Sequence, residues 1–497
     1  MRSGKLTSRR EFLRLVALGS ASTAVVAACA PTATPTPAPP PKPTEAPKPA
    51  AATAPPKPTQ APAAAAKPTE APKPSEALKP TAAATSAPKP ALSGEITFWH
   101  SYTQEVRIRA LETIIGSFTK ANAGVKVKTE AIPWSGFQAK WTAAQAAGTM
   151  PDMSTALLSQ ALLMAEAGAT QPANPVIDAL GGKGAFIEQP LQNLSYKGVY
   201  IGVPHYTHCR LLFYRKDWLQ EMSLKVPGTW DELMDAAVKT TKEPERYGFI
   251  MPMAKGGPGR IILYIMMLTN DAHYFDASGN VTFNSPATVE AVTFFMDLYQ
   301  KASPSGSTSY DTTTMKNLFQ TGKTNFFVET AFTLSEVEQA KPELASPEKI
   351  GAVAFPPKKQ PGVMAELIAL VLSKTTRNLE TTKAFMVTLF GGDNYVSFLH
   401  SMPGGQFPST KAIAESPTFF KNPIIEKFKD IVQLSIDGTK IGTPVGMSKG
   451  VTLKASVLDT GLVEEMLQAI VTDKKPVEKA VAETHSLIER QIAEQKL

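Results

Sequence analysis

The stretch YKGVYIGVPHYTHCRLLFYRK, Tyr196–Lys216, decides how this chain is built. Lys197-Gly198 reads as a tight turn, and the apolar run Val199–Val203 as a strand. Pro204 has no N–H to donate and is expected to end the ladder there. A polar, aromatic patch follows: His205, Tyr206, Thr207, His208, Cys209 and Arg210. Leu211–Tyr214 then resumes the strand, and Arg215–Trp218 opens a helix. Buried charges are costly, so a core strand seldom places two histidines and an arginine at its centre. The segment is therefore expected to leave one lobe, cross a wet cleft and enter a second. The alternative is two ordinary strands joined by a surface loop.

Upstream of this segment the pattern is β-α-β-α-β-α. Gly94–His100 reads as a strand, followed by a helix whose apolar spacing runs from Val106 to Phe118 and which stops near Asn122-Ala123-Gly124. Val125–Ile132 alternates as a strand, Trp134–Gly148 is a helix closed by glycine, and Pro151–Leu157 is a third strand before an Ala/Leu-rich helix to Gly168. That order argues an α/β lobe in which ligands sit beyond the strand C-terminal ends. Those ends are His100–Gln104 and Leu157–Gln160.

Downstream, Thr229 with Glu232 forms a capping box. Lys255–Arg260 is a glycine loop opening an apolar helix, whose N-terminal N–H groups can donate hydrogen bonds to a ligand. Val281–Phe283 is expected as a short strand, Asn284-Ser285-Pro286 as a helix cap, Phe326–Val328 and Leu367–Leu372 as buried strands, Met402–Pro408 as a tight loop, and Val477–Gln495 as the last helix.

The first 93 residues are of a different kind. Ser8-Arg9-Arg10-Glu11-Phe12-Leu13 resembles a twin-arginine export signal. Val16–Ala28 is too short and too polar to span a bilayer and reads as a signal-peptide core. Val26-Ala27-Ala28-Cys29 resembles a bacterial lipobox, which makes Cys29 the expected lipidation site and removes residues 1–28 from the mature chain. Residues 30–93 are Pro, Ala, Lys and Thr with near-repeats such as KPTEAPKP, and carry 19 of the 42 prolines. Such a segment has no apolar face to bury and is expected to be a disordered, extended tether. Residues 1–93 hold 12 Lys and Arg against 4 Asp and Glu, leaving 39 against 40 for residues 94–497. The globular part is neutral, which argues against nucleic-acid binding. Its one remaining cysteine, Cys209, permits no intrachain disulfide once Cys29 is acylated. No His-Glu-x-x-His motif and no Cys/His metal set occurs in the sequence, so neither cofactor nor metal is expected.

Several landmarks then fall in one order: Ile96–His100, Gly148-x-x-Pro151-Asp152, Gly202-x-Pro204, Phe213–Asp217, Thr229–Leu233, Phe319–Lys323 and Gly405-x-Phe407-Pro408. With the lipobox, this set resembles the extracellular solute-binding proteins of carbohydrate ABC importers, the family of the maltose- and glycerol-phosphate-binding proteins. The resemblance covers residues 94–497. It implies the two-lobed, type II periplasmic-binding-protein architecture with crossing hinge strands. One lobe would take about 94–205 and 333–400, the other about 209–328 and 401–497. It further implies a monomeric, lipid-anchored receptor that hands a sugar or sugar derivative to ABC permease transmembrane subunits.

Carried over by position, the resemblance places His100, Ser101, Tyr102, Thr103, Gln104, Ser159, Gln160 and His208 at the cleft. It adds Gly257, Pro258 and Gly259 from the glycine loop, Glu329 and Phe332 from a strand end, and Gly404, Gly405 and Phe407 from the late loop. Phe332 stands where relatives often carry a stacking tryptophan. His100, His205, His208 and Arg210 make a cluster able to carry positive charge, compatible with a phosphorylated or acidic sugar. The competing functions are a surface-anchored carbohydrate-active enzyme and a sensory receptor uncoupled from transport. The first would need two carboxylates flanking one cleft, and only Glu329 and Glu366 fall near it.

Overall fold

The first of two main sheets is set by where the chain alternates. In β1 (Ser93–His100), Ile96, Phe98 and His100 face inward, while Trp99 is only half-buried. The computed structural model describes residues 91–497, and the leader, Cys29 and nearly all of the tether lie outside the described residues. β1 pairs in parallel with β2 (Gly124–Ala131) along its whole length and with β3 (Met153–Leu157). The helices Glu105–Ala121 and Leu379–Leu389 cover one face. Phe98, Phe118 and Phe385 meet there with centroids 5.2–6.3 Å apart. Burying a side chain such as Phe98 contributes about 1.5–3 kcal/mol. The helix Trp134–Ala147 inserts Phe137 and Trp141, and the Trp141 indole donates to Ser154 Oγ at 3.1 Å.

β4 (Thr170–Gln171) ends this part of the chain. The hairpin of β5 (Ser195–Tyr196) and β6 (Val199–Tyr200) turns through Lys197 at φ +48° and Gly198 at φ +82°. Two left-handed central residues match the strand twist of a tight hairpin.

β7 (Val203–Cys209) overturns one expectation. Pro204 does not end the ladder: the strand runs on through His205, Tyr206, Thr207 and His208, every residue buried. It pairs antiparallel with β12 (Ala365–Ser373). The register shifts between Ile368, opposite Tyr206, and Ala369, opposite Pro204. That bulge absorbs the residue between them and the missing proline donor. Three members of the polar patch find a partner each: His205 Nδ1 bonds Tyr102 at 2.9 Å, Tyr206 accepts from Arg107 at 2.7 Å, and His208 Nε2 bonds Glu366 at 3.1 Å, while His205 Nε2, Thr207 Oγ1 and His208 Nδ1 have none among the described residues. The sheet order is β13 (Phe407–Pro408), β7, β12, β3, β1, β2, with β4 on β12.

Arg210 alone separates β7 from β8 (Leu211–Arg215). β8 belongs to a second sheet, ordered β11 (Ile350–Val353), β8, β10 (Thr324–Glu329), β9 (Tyr247–Phe249). The chain thus passes between sheets at Arg210 and again between β11 and β12. Residues 350–353 pair in the second sheet and 407–408 in the first, so the sheets interleave more than the expected lobe ranges allow. The helix Gly259–Thr269 is buried along its length except at Arg260. Thr229 caps Trp230–Thr240 by accepting from Glu232 N, and Ser285 caps Pro286–Ala302 by accepting from Thr288 N. The strand expected at Val281–Phe283 is a single bridge, Phe275 with Val281. Asp276 closes a tight turn by accepting from the Ser278 and Asn280 amides. Phe283 is then drawn into the core, stacked on Tyr274 at 5.0 Å.

Candidate functional site

The crossing places three chain passages side by side. His208 stands directly opposite Glu366 across β7 and β12, and Glu329 opposite Leu211 across β10 and β8. Arg210, two residues after His208 and directly before Leu211, brings its guanidinium to both carboxylates. It contacts Glu329 closely and lies 3.6 Å from Glu366, whose Oε2 also bonds His208 Nε2 at 3.1 Å. Burial alone would push both glutamates up. For Glu366 the His208 hydrogen bond and the Arg210 charge prevail and hold the carboxyl down at about 2. Arg210 and Lys316 likewise keep Glu329 below its ordinary value. Burial opposes the Arg210 charge, and the two carboxylates more than restore it.

A second arginine faces this cluster. Arg260 sits in the first turn of its helix, 2.8 Å from Asp459 and 3.8 Å from Glu464. Glu464 is fully buried, and burial raises its carboxyl. Asp459 in turn accepts from Ser159 Oγ at 2.9 Å, which joins the chain after β3 to the helical turns Leu453–Thr460. Leu157, Ser159, Arg260, Glu366, Val445 and Asp459 enclose a cavity of about 30 Å³. That is room for about one water.

The expected site residues divide into two groups. Ser159, His208, Arg210, Glu329 and Phe332 come together at the crossing. The Phe332 ring lies 5.9 Å from His208, and Gly405 packs against it so closely that a Cβ there would come within 2.3 Å of its ring. The others serve the scaffold or lie apart. Buried His100 stacks on buried Tyr102 at 4.9 Å, and the Ser101 amide donates to Thr155 Oγ1 at 3.1 Å. Gln160 accepts from the Leu157 amide at 3.1 Å, while Thr103 and Gln104 are exposed. Gly257 closes a turn on Ala254, with Pro258 buried next to it, and Gly259 packs on the Pro252 carbonyl. Gly404 takes a left-handed φ of +81°, and Phe407 is a buried strand residue opposite Thr207.

The cluster expected to be cationic is not one. Burial, helped by the nearby Arg107 charge, pushes the His100 imidazole down to about 4 and that of His205 to about 3, so both are neutral at pH 7. Arg210 is matched by Glu329 and Glu366. Sequence reasoning passed over Arg107, Arg260 and Asp459. Arg107 lies buried over the Tyr102 ring at 4.4 Å and donates to Tyr206. Arg260 did carry a signal, as the only charge in GRIILYIMMLT directly after a glycine loop.

Residues 102–394 match the model of the bacterial extracellular solute-binding protein family. "Putative ABC transporter periplasmic-binding protein YcjN" of Escherichia coli K12 is 24% identical over 394 residues, covering 76% of this chain and 88% of that one. An ABC transporter solute-binding protein from Thermotoga lettingae, solved with alpha-D-tagatose, superposes with a TM-score of 0.70 at 20% identity, over 80% of this chain and 99% of that one. One from Agrobacterium radiobacter K84, solved with ribitol, gives 0.69 at 19% identity, over 81% and 100%. The fold is the type II binding-protein fold of these structures, and the chain belongs to the bacterial extracellular solute-binding protein family.

Proposed function

We propose that this protein is an extracytoplasmic receptor that binds a neutral sugar or polyol between its lobes and delivers it to an ABC import permease. One observation carries this reading. His208 Nδ1, Arg210 Nε, Glu329 Oε2, Thr330 Oγ1 and Thr333 Oγ1 are buried around the crossing and have no hydrogen-bond partner among the described residues. Buried polar groups without partners cost free energy, and both donors and acceptors are in the set. Vicinal hydroxyls, each donor and acceptor at once, are the complementary ligand. The matched charges of Arg210 and Arg260 favour a neutral ligand over a phosphate or uronate. The tagatose and ribitol held by the two solved relatives are ligands of this class.

The cavity of about 30 Å³ is too small for any hexose, so binding requires the walls to part. The hinge passages are Arg210 and the β11–β12 connection. Binding then shifts an open–closed equilibrium. Glu329 and Glu366 are both held ionised, whereas a glycosidase acid needs a raised pKa. The receptor reading is therefore preferred to the enzyme. Residues 1–93 are assigned as a leader, the acylated Cys29 and a spacer that holds a monomeric receptor off the membrane.

A thermal-shift screen of the full chain in mild detergent, against hexoses, hexitols, pentitols, sugar phosphates and uronates, tests the ligand. A neutral sugar or polyol at a hundredfold excess over Kd should stabilise by about 2.7 kcal/mol and be recovered unaltered by mass spectrometry. A shift confined to the charged sugars would overturn the neutral-ligand reading, and turnover would overturn the receptor. Metabolic labelling with a fatty acid tests Cys29: C29A should lose both the label and detergent-phase partition.

A further inference from the structure

Glu464 lies in the first turn of the helix Leu462–Thr472, fully buried, and neither of its carboxyl oxygens has a hydrogen-bond partner among the described residues. An ionised carboxylate there would give up its hydration with no hydrogen bond in return, so the setting favours the neutral acid. Burial raises this carboxyl; the Arg260 charge and the Glu464 and Arg260 backbone amides pull the other way and do not prevail.

Few charged or titratable groups face it. Arg260 comes from the helix Gly259–Thr269, with its Nε 3.8 Å from Glu464 Oε1. The same helix supplies Tyr264, which stacks at 5.9 Å on Tyr274. The Tyr274 hydroxyl is itself buried and unpartnered, and burial and the Glu464 charge push that phenol up. Asp459 comes from the helical turns Leu453–Thr460, whose Lys454 is turned away onto the Gly279 carbonyl. The helix Val477–Gln495 packs on the same element and buries Ala480, Val481, Thr484 and Ile488, none of them titratable.

Arg260 thus has two acidic neighbours and serves one. Its Nη2 lies 2.8 Å from Asp459 Oδ1, while Asp459 Oδ2 accepts from Ser159 Oγ at 2.9 Å. Out of water, an ionised Glu464 would draw the guanidinium more strongly than the exposed Asp459 does.

We propose that Glu464 is a positioning residue held as a neutral acid, which leaves Arg260 to Asp459 and so preserves the Ser159–Asp459 contact across the cavity. When its proton leaves for solvent, Arg260 turns to Glu464 and the contact weakens. The balance between closed and parted lobes then depends on pH, whatever ligand the cleft takes.

The test is the interlobe distance distribution of the unliganded full chain, read by electron spin labels on the two lobes at pH 6 and pH 9, for wild type, E464Q and S159A. The parted form of the wild type should gain roughly twofold at the higher pH, the change expected for one exposed hydrogen bond. E464Q, a permanently neutral replacement, should fold and keep the pH 6 distribution at pH 9. S159A, lacking the bond, should show one broadened distribution at both. A wild-type distribution unchanged between the two pH values would overturn the proposal. So would a pH response retained in E464Q or in S159A, which would place the titrating group or the contact elsewhere. An E464Q chain that fails to fold at pH 6 would show that the carboxylate charge is required, and would overturn it too.

Discussion

Ser159 Oγ donates a 2.9 Å hydrogen bond to Asp459, and the two residues approach from opposite walls of the interlobe cavity. Asp459 is held in place by Arg260 at 2.8 Å. A lobe contact of this kind helps fix the open–closed balance. The bond is solvent-exposed, so its worth lies at the low end of the usual range, about 0.5 kcal/mol, or roughly a twofold change in the equilibrium. S159A should therefore broaden the interlobe distance distribution of the unliganded full chain, read by electron spin labels on the two lobes, and weaken ligand binding slightly. A distribution superimposable on wild type would show that the bond does not hold the lobes.

Stability should fall in two stages as pH drops. Free histidines take up a proton near pH 6.5, whereas His100 and His205 resist it until about 4 and 3. The unfolded chain therefore binds more protons across that window, and folding stability declines as pH falls below about 6.5, by about 1.4 kcal/mol per pH unit per histidine. Glu366 adds a second loss. Its folded value of about 2 gives stability that is full above the unfolded value of 4.5 and disappears as pH falls towards 2, about 3 kcal/mol in all. Urea denaturation from pH 8 to 4 reads the first stage directly. H205Q should make the slope between pH 6.5 and 4 shallower by about 1.4 kcal/mol per unit, whatever it costs at pH 8. An unchanged slope would mean that His205 is not held neutral.

The sequence was most legible where local chemistry and burial agree. The caps at Thr229 and Ser285, the Gly198 hairpin and the terminal helix Val477–Gln495 all fall where periodicity and turn residues put them. It was least legible at β7. Pro204 and a run of ligand-type side chains read as an interruption, but a bulge opposite Ile368 and Ala369 and partners more than a hundred residues distant kept the strand whole. Neither the bulge nor the Tyr102 hydroxyl that bonds His205 Nδ1 leaves a trace near position 205. For the same reason His208 and Arg210 could be singled out, while Glu366 stood only as one of two nearby carboxylates and Asp459 not at all. Cross-strand register decides those neighbours.

Phe332 depends on a glycine. A Cβ on Gly405 would meet the Phe332 ring at 2.3 Å and its Cα at 2.8 Å, so the ring and the backbone that carries it must move. G405A should tip Phe332 towards His208, lower thermal stability by about 1–3 kcal/mol, the usual range for overpacking, and weaken sugar binding more than S159A does. The double variant G405A/F332A should recover only the part of the stability lost at the ring, since the contact with the residue 332 Cα remains, and should leave binding weak. Failure to recover would locate the damage in the loop 402–408 instead of at the ring.

Arg210 is the group on which the crossing turns, and its removal should be costly for a reason separate from ligand. Replacing it with methionine leaves Glu329, 2% exposed, and Glu366 facing each other without a guanidinium. Removing one member of a buried ion pair typically costs about 3–5 kcal/mol, because the remaining charge has lost its compensation. R210M should lose stability in that range at pH 7. The penalty should shrink as pH falls, because without the guanidinium the two carboxylates are held down less strongly, by His208 and Lys316 among others, and take up protons more readily. Pairing the change with E329Q removes one stranded charge, so R210M/E329Q should be more stable than R210M alone, a positive coupling in a double-mutant cycle. Additive losses at pH 7 would show instead that Arg210 acts mainly through Glu366, and R210M/E366Q would then be the pair to recover.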